Sequence, residues 1–383
     1  MERIKAGIIG MGYIGASHIE AVRRIGFADC VAVADVNFDL AKQKANDYFI
    51  PKCYDNVDEL IDDPEIVVVH NCTPNSLHRE VNEKIINMGK HVFSEKPLAM
   101  NSEECESMLS LLSEHPEVVH GVNYCYRMNP MLKETKARFE KGELGKPLIV
   151  HGSYLQDWLL FETDYNWRIE PEVSGPSRCI SDIGTHWMDA VQHILGSRIT
   201  DVCADLVAVF PVRKKPLGQV ETFSTSASEE YEEKEVTTED YGAVMFKMDN
   251  GASGVFYVSE VSAGYGCSLS VSIDGTKCAI RWNQEEGDRL WVGYRERDNC
   301  LALRNPAILD RSVLPFTHLA KGHPEGWNDA ETATIFAFYD FIRRGKKIGD
   351  EETAFATFAD GSYEVKLVEA ILKSSKDRAW VKV

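Results

Sequence analysis

Over the first 125 residues, apolar runs of strand length alternate with segments of helical period. Residues 4–9 (Ile-Lys-Ala-Gly-Ile-Ile) form the first run and pass directly into Gly10-Met11-Gly12-Tyr13-Ile14-Gly15. A helical pattern follows, with Ile19, Ala21, Val22 and Ile25 apolar and Arg23 and Arg24 facing out. Further strands are predicted at 30–34, 66–70, 90–93 and 118–122, with helices at 38–48, 57–61, 77–88 and 102–113 between them. Ser76 is expected to cap the helix at 77–88, with Gly89 stopping it. Such alternation implies right-handed crossovers and a parallel sheet.

From about Met128 the pattern changes. A helix to Lys141 gives way to runs of period two at 148–156, 202–212, 241–248, 252–261, 269–273 and 279–282. They predict a largely antiparallel sheet faced by a helix over 182–195. Helices at 329–344 and 353–374 close the pattern, and either could pack back on the first domain. The expected division is a dinucleotide-binding domain over 1–125 and a second α/β domain over 126–383. Between strands, 224–240 holds Glu229, Glu230, Glu232, Glu233, Glu235, Glu239 and Asp240 against the single Lys234, and reads as a solvated loop.

Length agrees with two domains, since 383 residues are long for one core. A net charge of −18 argues against a nucleic-acid partner, which needs clustered Lys and Arg. The ten cysteines show no CxxC spacing, so reduced and mostly buried thiols in a cytoplasm are expected. Met1-Glu2-Arg3 leads straight into the first strand, so no signal peptide is expected. No apolar stretch reaches the ~18 residues of a membrane helix, so no membrane partner is expected either.

The chemistry starts at the glycine turn. Gly10 permits the tight turn, Gly12 lets backbone N–H groups approach a pyrophosphate, and Gly15 lets helix and strand pack closely. Tyr13 and Ile14 belong to the same cofactor-facing turn. Asp35, twenty residues after Gly15, ends the second strand; its carboxylate suits both ribose hydroxyls and repels a 2′-phosphate, so NAD is favoured over NADP. Thr73-Pro74-Asn75 and Glu95-Lys96-Pro97 also fall at carboxyl ends of parallel strands, where ligands of such sheets bind. Pro97 is expected to fix that loop through a cis bond.

In the second half, Asp182 and His186 are four residues apart on one helix face, so the carboxylate can orient the imidazole. His193 lies toward the same side, but without companion cysteines or an HExxH pattern no metal is expected. Gln156-Asp157-Trp158 and Tyr165-Asn166-Trp167-Arg168 mix aromatic and polar groups in a way that suits a sugar. Tyr126, Thr185 and His323 are further candidates for the same pocket.

These motifs together resemble the glucose–fructose oxidoreductase/inositol dehydrogenase (Gfo/Idh/MocA) family: the glycine turn, Thr73-Pro74-Asn75 with His78, Gly89 to Pro97, Asp182-x-x-x-His186, and Ala356-Thr357-Phe358-Ala359-Asp360-Gly361 near the end. The resemblance implies an α/β protein with an N-terminal Rossmann domain and a C-terminal α/β domain whose open sheet serves substrate binding and oligomer contacts, as homodimer or homotetramer. It implies that Lys96 contacts the reacting hydroxyl and the nicotinamide ribose, and that Asp182 and His186 complete the catalytic site, His186 as proton acceptor. It places Thr73, Pro74, Asn75, His78, Glu95, Trp167 and Arg168 near the cofactor. The expected activity is NAD-dependent oxidation of a secondary ring hydroxyl in an inositol, anhydrosugar or glycoside. Two alternatives stay open: an NAD-retaining, redox-assisted glycosidase or lyase, and a non-catalytic regulator sensing sugar or NAD.

Overall fold

The chain divides into two compact units, Met1–Met128 with Trp327–Val365, and Asn129–Gly326 with Lys366–Val383. The computed structural model describes residues 3–217 and 230–383.

The first unit is built from β1 (Ile4–Ile9), α1 (Tyr13–Arg24), β2 (Ala28–Ala34), α2 (Phe38–Asp47), β3 (Lys52–Tyr54), α3 (Val57–Asp62), β4 (Val68–Asn71), α4 (His78–Asn87), β5 (His91–Ser94), α5 (Ser102–Glu114) and β6 (His120–Val122). Its strands lie in the order β3-β2-β1-β4-β5-β6, and every pairing is parallel. The near-continuous apolar runs of the sequence have this cause: Ala6, Ile8, Ile9, Ala32, Val33, Val68, Val69, Val92 and Phe93 are buried, as a sheet covered on both faces demands. The order reverses between β1 and β4, and their carboxyl ends open a crevice there.

A later helix, Trp327–Arg343, packs in this unit beside α1: Arg24 meets Asp329 at 2.7 Å, and Phe338 lies 5.0 Å from Phe93 between ring centroids. The last long helix begins at Phe358, not at the expected 353. Thr357 and Asp360 cap it reciprocally, the Thr357 N–H reaching Asp360 Oδ2 at 2.9 Å and the Asp360 N–H reaching Thr357 Oγ1 at 3.3 Å.

The second unit carries α6 (Pro130–Glu140), β7 (Pro147–Leu155), α7 (Pro171–Ser174), α8 (Thr185–Leu195), β8 (Ile199–Val207), β9 (Val212–Pro216), β10 (Tyr231–Glu235), β11 (Tyr241–Met248), β12 (Ser253–Ser259), β13 (Ser268–Gly275), β14 (Ala279–Asn283), β15 (Arg289–Gly293), β16 (Cys300–Leu303) and β17 (Val381–Lys382). Among the described residues nine strands form one sheet in the order β16-β15-β14-β13-β7-β12-β11-β8-β17, antiparallel except for β7 with β12. Helix α8 covers one face. Its Trp187 stacks on Phe256 at 4.6 Å, lies 5.7 Å from Phe246, and donates through its indole N–H to the Ser270 carbonyl. On the other face Ile149, His151, Met245, Val255 and Tyr257 are exposed, and Val255 stands in register with both Met245 and His151.

Two expectations need correcting. The single strand at 202–212 is two strands, because the Val209 and Phe210 N–H groups leave the ladder and donate to Asp240 Oδ2 at 2.7 and 3.0 Å. The acidic segment at 224–240 is not a solvated loop where it is described; residues 224–229 lie outside the described residues. β10 pairs with β9, setting Glu232 and Glu233 opposite Lys215 and Lys214, and Glu239 and Asp240 are buried. Among the described residues no helix is long and apolar enough to cross a membrane.

Candidate functional site

At the end of β1 the chain turns at Gly10 with φ of +93°, where a Cβ would lie 2.4 Å from the Cys72 carbonyl oxygen. A Cβ on Gly15 would lie 2.0 Å from the Gly10 carbonyl oxygen, so the two glycines let α1 start against the strand. Helix α1 has no side-chain cap at Gly12 and no acidic residue in its first turn. Its first N–H groups are therefore an anion site in the sense of a pyrophosphate-binding turn. Tyr13 is exposed and Ile14 half-buried beside it.

Asp35 does two things at once. Its Oδ2 accepts the Met11 N–H at 2.7 Å and its Oδ1 the Asn37 N–H at 2.8 Å, which fixes both the glycine turn and the carboxylate plane. Each oxygen keeps a further lone pair for a ribose hydroxyl. The turn, the uncapped helix start and this carboxylate fit NAD.

The loops after β4 and β5 are tied together from beneath. Asn71 Oδ1 accepts from the Thr73 hydroxyl at 2.7 Å and its N–H at 3.3 Å, and the Asn71 amide donates to Asn82 at 2.9 Å. Pro74 leads into the short turn Asn75–Leu77. His78 is fully buried, with Nδ1 2.7 Å from the Pro97 carbonyl and Nε2 2.8 Å from the Thr73 carbonyl. Burial lowers its pKa against the pull of these two carbonyls. His78, one of the expected cofactor residues, is thus a neutral ring buried between the Thr73 and Pro97 carbonyls, and its single N–H donates to one of them.

The Lys96-Pro97 bond is cis, and Lys96 is half-buried. The side chain of Glu95, another expected cofactor residue on this loop, is buried in the interior. Glu95 Oε1 lies 2.8 Å from His18 Nε2 and 2.6 Å from the Asn123 amide. His18 continues the chain through its Nδ1 to His70 Nδ1 at 2.8 Å, and His70 Nε2 reaches the Tyr339 hydroxyl at 2.8 Å. Burial disfavours a charge on His18, yet Cys72, Glu95 and Glu331 together raise its pKa well above the usual value. Burial pushes the Glu95 carboxyl up, but the hydrogen bond and charge of His18, the Asn123 amide and the charge of Lys96 together bring it down to about 2. The loop bearing Lys96 thus rests on a buried imidazolium–carboxylate pair.

In the second unit, the segment expected as one helix over 182–195 begins with a π-turn, Ile180–Gly184, before α8. Asp182 sits in that turn, half-buried, and His186 in the first turn of α8. Wide turns of this kind are frequent at functional sites. Arg168 Nε lies 3.7 Å from Asp182 Oδ1, and its guanidinium stacks 4.5 Å from the Trp167 ring centroid, so three of the expected residues meet. Thr185 is buried and donates its hydroxyl to the Ser181 carbonyl at 2.7 Å.

A second group gathers at the end of β7. The Trp158 indole donates to Gln156 Oε1 at 2.8 Å, and the Tyr154 hydroxyl lies 2.9 Å from Cys267 Sγ, which Gln156 Nε2 also approaches at 3.6 Å. The Tyr154 ring is 6.5 Å from that of His186. Tyr154 was missed in the sequence, although alternation along a strand puts it on the face of Gln156. Asp157 instead accepts the Gly264 N–H at 3.0 Å. His323 is exposed in a loop whose carbonyls at Leu319, Ala320 and His323 bind the buried Arg304. Tyr126 is buried in the short segment Cys125–Met128 of the first unit.

The family model described as "Oxidoreductase family, NAD-binding Rossmann fold" matches residues 4–124, and that of the GFO/IDH/MocA C-terminal domain matches residues 132–281. Levoglucosan dehydrogenase of Pseudarthrobacter phenanthrenivorans is 29% identical over 403 residues, covering 100% of this chain and 99% of its own. Glucose-6-phosphate 3-dehydrogenase of Bacillus subtilis is 28% identical over 73% of this chain and 74% of its own. A solved structure of levoglucosan dehydrogenase in complex with NADH and levoglucosan superposes with a TM-score of 0.88 at 26% identity, over 100% of both chains.

Proposed function

Because this chain belongs to the GFO/IDH/MocA family of oxidoreductases with an NAD-binding Rossmann fold, we propose that it oxidises a secondary ring hydroxyl of a cyclic polyol or sugar to a ketone, reversibly and with NAD. The observation that carries the reading is the uncapped start of α1 behind Gly10 and Gly12, with the Asp35 carboxylate fixed beside it. The likeness to levoglucosan dehydrogenase along the whole chain supports a pyranose-like substrate, an anhydrosugar first, then an inositol or glycoside.

Bound NAD would accept the hydride from the carbinol carbon. His186 takes the hydroxyl proton, since an imidazole titrates near neutrality. Asp182 orients that imidazole and is itself held by Arg168. Lys96 stabilises the developing alkoxide by its charge. Gln156 and Trp158 supply the hydrogen-bonding and stacking groups that a sugar ring needs. The ten cysteines, none of them in a disulfide among the described residues, suit a reducing cytoplasm. The exposed row of Met245, Val255 and Tyr257 suits a homo-oligomer formed through the open sheet.

The test is a pair of variants assayed for NADH at 340 nm across neutral pH. His186→Ala should lose turnover at least 100-fold. Near-normal turnover in His186→Ala with complete loss in Lys96→Ala would reassign the base to the lysine.

A further inference from the structure

Behind the π-turn that carries Asp182 lies a buried charge cluster which the proposed chemistry does not use. Glu239 is buried, and its Oε1 accepts the Ser177 hydroxyl at 2.6 Å, the Arg178 N–H at 3.1 Å and the Ile180 N–H at 3.0 Å. One carboxylate oxygen thus fixes the backbone on which the π-turn begins. The Arg178 carbonyl in turn accepts the Asp182 N–H at 2.7 Å.

Asp240, with no exposed surface, bridges two buried guanidinium groups. Its Oδ1 accepts from Arg178 Nη2 and from Arg213 Nη2, the latter at 2.7 Å. Arg213 then donates to the carbonyls of Leu159, Phe161 and Asp164 at 3.0, 2.8 and 3.2 Å. That stretch leads to Asn166, Trp167 and Arg168, and Arg168 is the group facing Asp182. Glu260 completes the cluster at 3.1 Å from Arg178 Nη1. Removing four charged groups and the Glu260 carboxyl from water is a heavy cost that an apolar core would avoid, so stability alone is a weak reason for the arrangement. Holding two irregular segments in one register is a better one.

We propose that Glu239 is a positioning residue for this site: by fixing the Arg178–Ile180 backbone, with Asp240 joining Arg178 to Arg213, it sets Asp182 against Arg168. The inference rests on the proposed dehydrogenase reading for its catalytic meaning and on the π-turn alone for its structural meaning.

The experiment compares the full-length parent with Glu239→Gln, Ser177→Ala and a control, Ser197→Ala, whose hydroxyl binds Asp249 elsewhere in the unit. Three readouts are taken: sugar and NAD kinetics, NADH affinity, and hydrogen exchange over residues 178–186. Glu239→Gln keeps the shape but replaces a charge-assisted acceptor, so exchange of that segment should accelerate at least tenfold. Its kcat for the sugar should fall at least tenfold, while NADH affinity stays within twofold. Ser177→Ala should show the same split at smaller size, and it decides the matter if Glu239→Gln does not fold. Unchanged exchange at 178–186 overturns the inference. So does accelerated exchange with parental kcat, or a rate loss that Ser197→Ala reproduces. A parent inert toward every sugar fails the functional reading instead, and hydrogen exchange then decides the inference by itself.

Discussion

Alanine at Gly12 and alanine at Gly15 should have opposite effects, although the two glycines share one turn. At Gly12 the backbone has φ −66° and ψ −165°, open to any L residue, and a Cβ there meets nothing within 4 Å. The unliganded protein therefore accommodates Gly12→Ala, with a Tm within about 1 °C of the parent or slightly above it, since alanine lowers the entropy of the unfolded chain. The methyl group instead occupies the space through which a pyrophosphate approaches the N–H groups of α1. A loss of NADH affinity of about 10–100-fold follows, equivalent to roughly 1.4–2.7 kcal/mol. At Gly15 the added Cβ lies 2.0 Å from the Gly10 carbonyl oxygen. Helix and strand must separate by at least about 1 Å, an overpacking that costs about 1–3 kcal/mol in a close-packed interior. At roughly 2–4 °C per kcal/mol for a unit of this size, Tm should fall by about 2–12 °C. NADH fluorescence titration and thermal unfolding of both variants check this. NADH binding by Gly12→Ala within twofold of the parent, or an equal loss of Tm in both variants, would refute the assignment of this turn to the pyrophosphate.

Other consequences are as direct. Asp35→Ser removes the acceptor of the Met11 N–H and the charge that repels a 2′-phosphate, so the NAD to NADP preference should fall at least tenfold in kcat/KM; an unchanged ratio would count against the ribose role. His78→Ala removes the ring buried between the Thr73 and Pro97 carbonyls and the hydrogen bond it donates to one of them, and should lower stability by about 1–3 kcal/mol while also weakening NADH binding, both read by titration and unfolding. Glu260 has its carboxyl pushed up to about 8 by burial. The folded state then holds a proton that the unfolded chain releases near 4.5, so this contribution is complete below that pH and is lost as pH rises through about 8, by at most on the order of 4–5 kcal/mol. Glu260→Gln should accordingly gain stability relative to the parent between pH 5 and pH 9, and a Tm difference constant over that range would exclude the raised carboxyl.

Much of the first unit was legible because its signals are local. The apolar runs mark parallel strands buried on both faces, and the glycines, Asp35 and the Glu95-Lys96-Pro97 loop fall at their carboxyl ends. What stayed hidden depends on partners distant in sequence. Glu239 and Asp240 look like part of an acidic loop until Arg178, some sixty positions earlier, and Arg213 are brought against them. The strand over 202–212 breaks because Asp240 takes its N–H groups, which no alternation pattern encodes. His78 and Glu95 carry the composition of ligand residues, and only burial reveals that their side chains hold the loops from behind. The π-turn at Ile180–Gly184 inserts its wider spacing into a sequence whose period reads as one helix.

Hydride transfer from a ring hydroxyl to NAD is read by incubating the purified chain with NAD and a panel of anhydrosugars, inositols, hexoses and glycosides at 340 nm. At least one of them should yield NADH with a matching equivalent of ring ketone, and Lys96→Ala should abolish both. Demonstrable NAD binding with no NADH from any member of the panel would contradict hydride transfer.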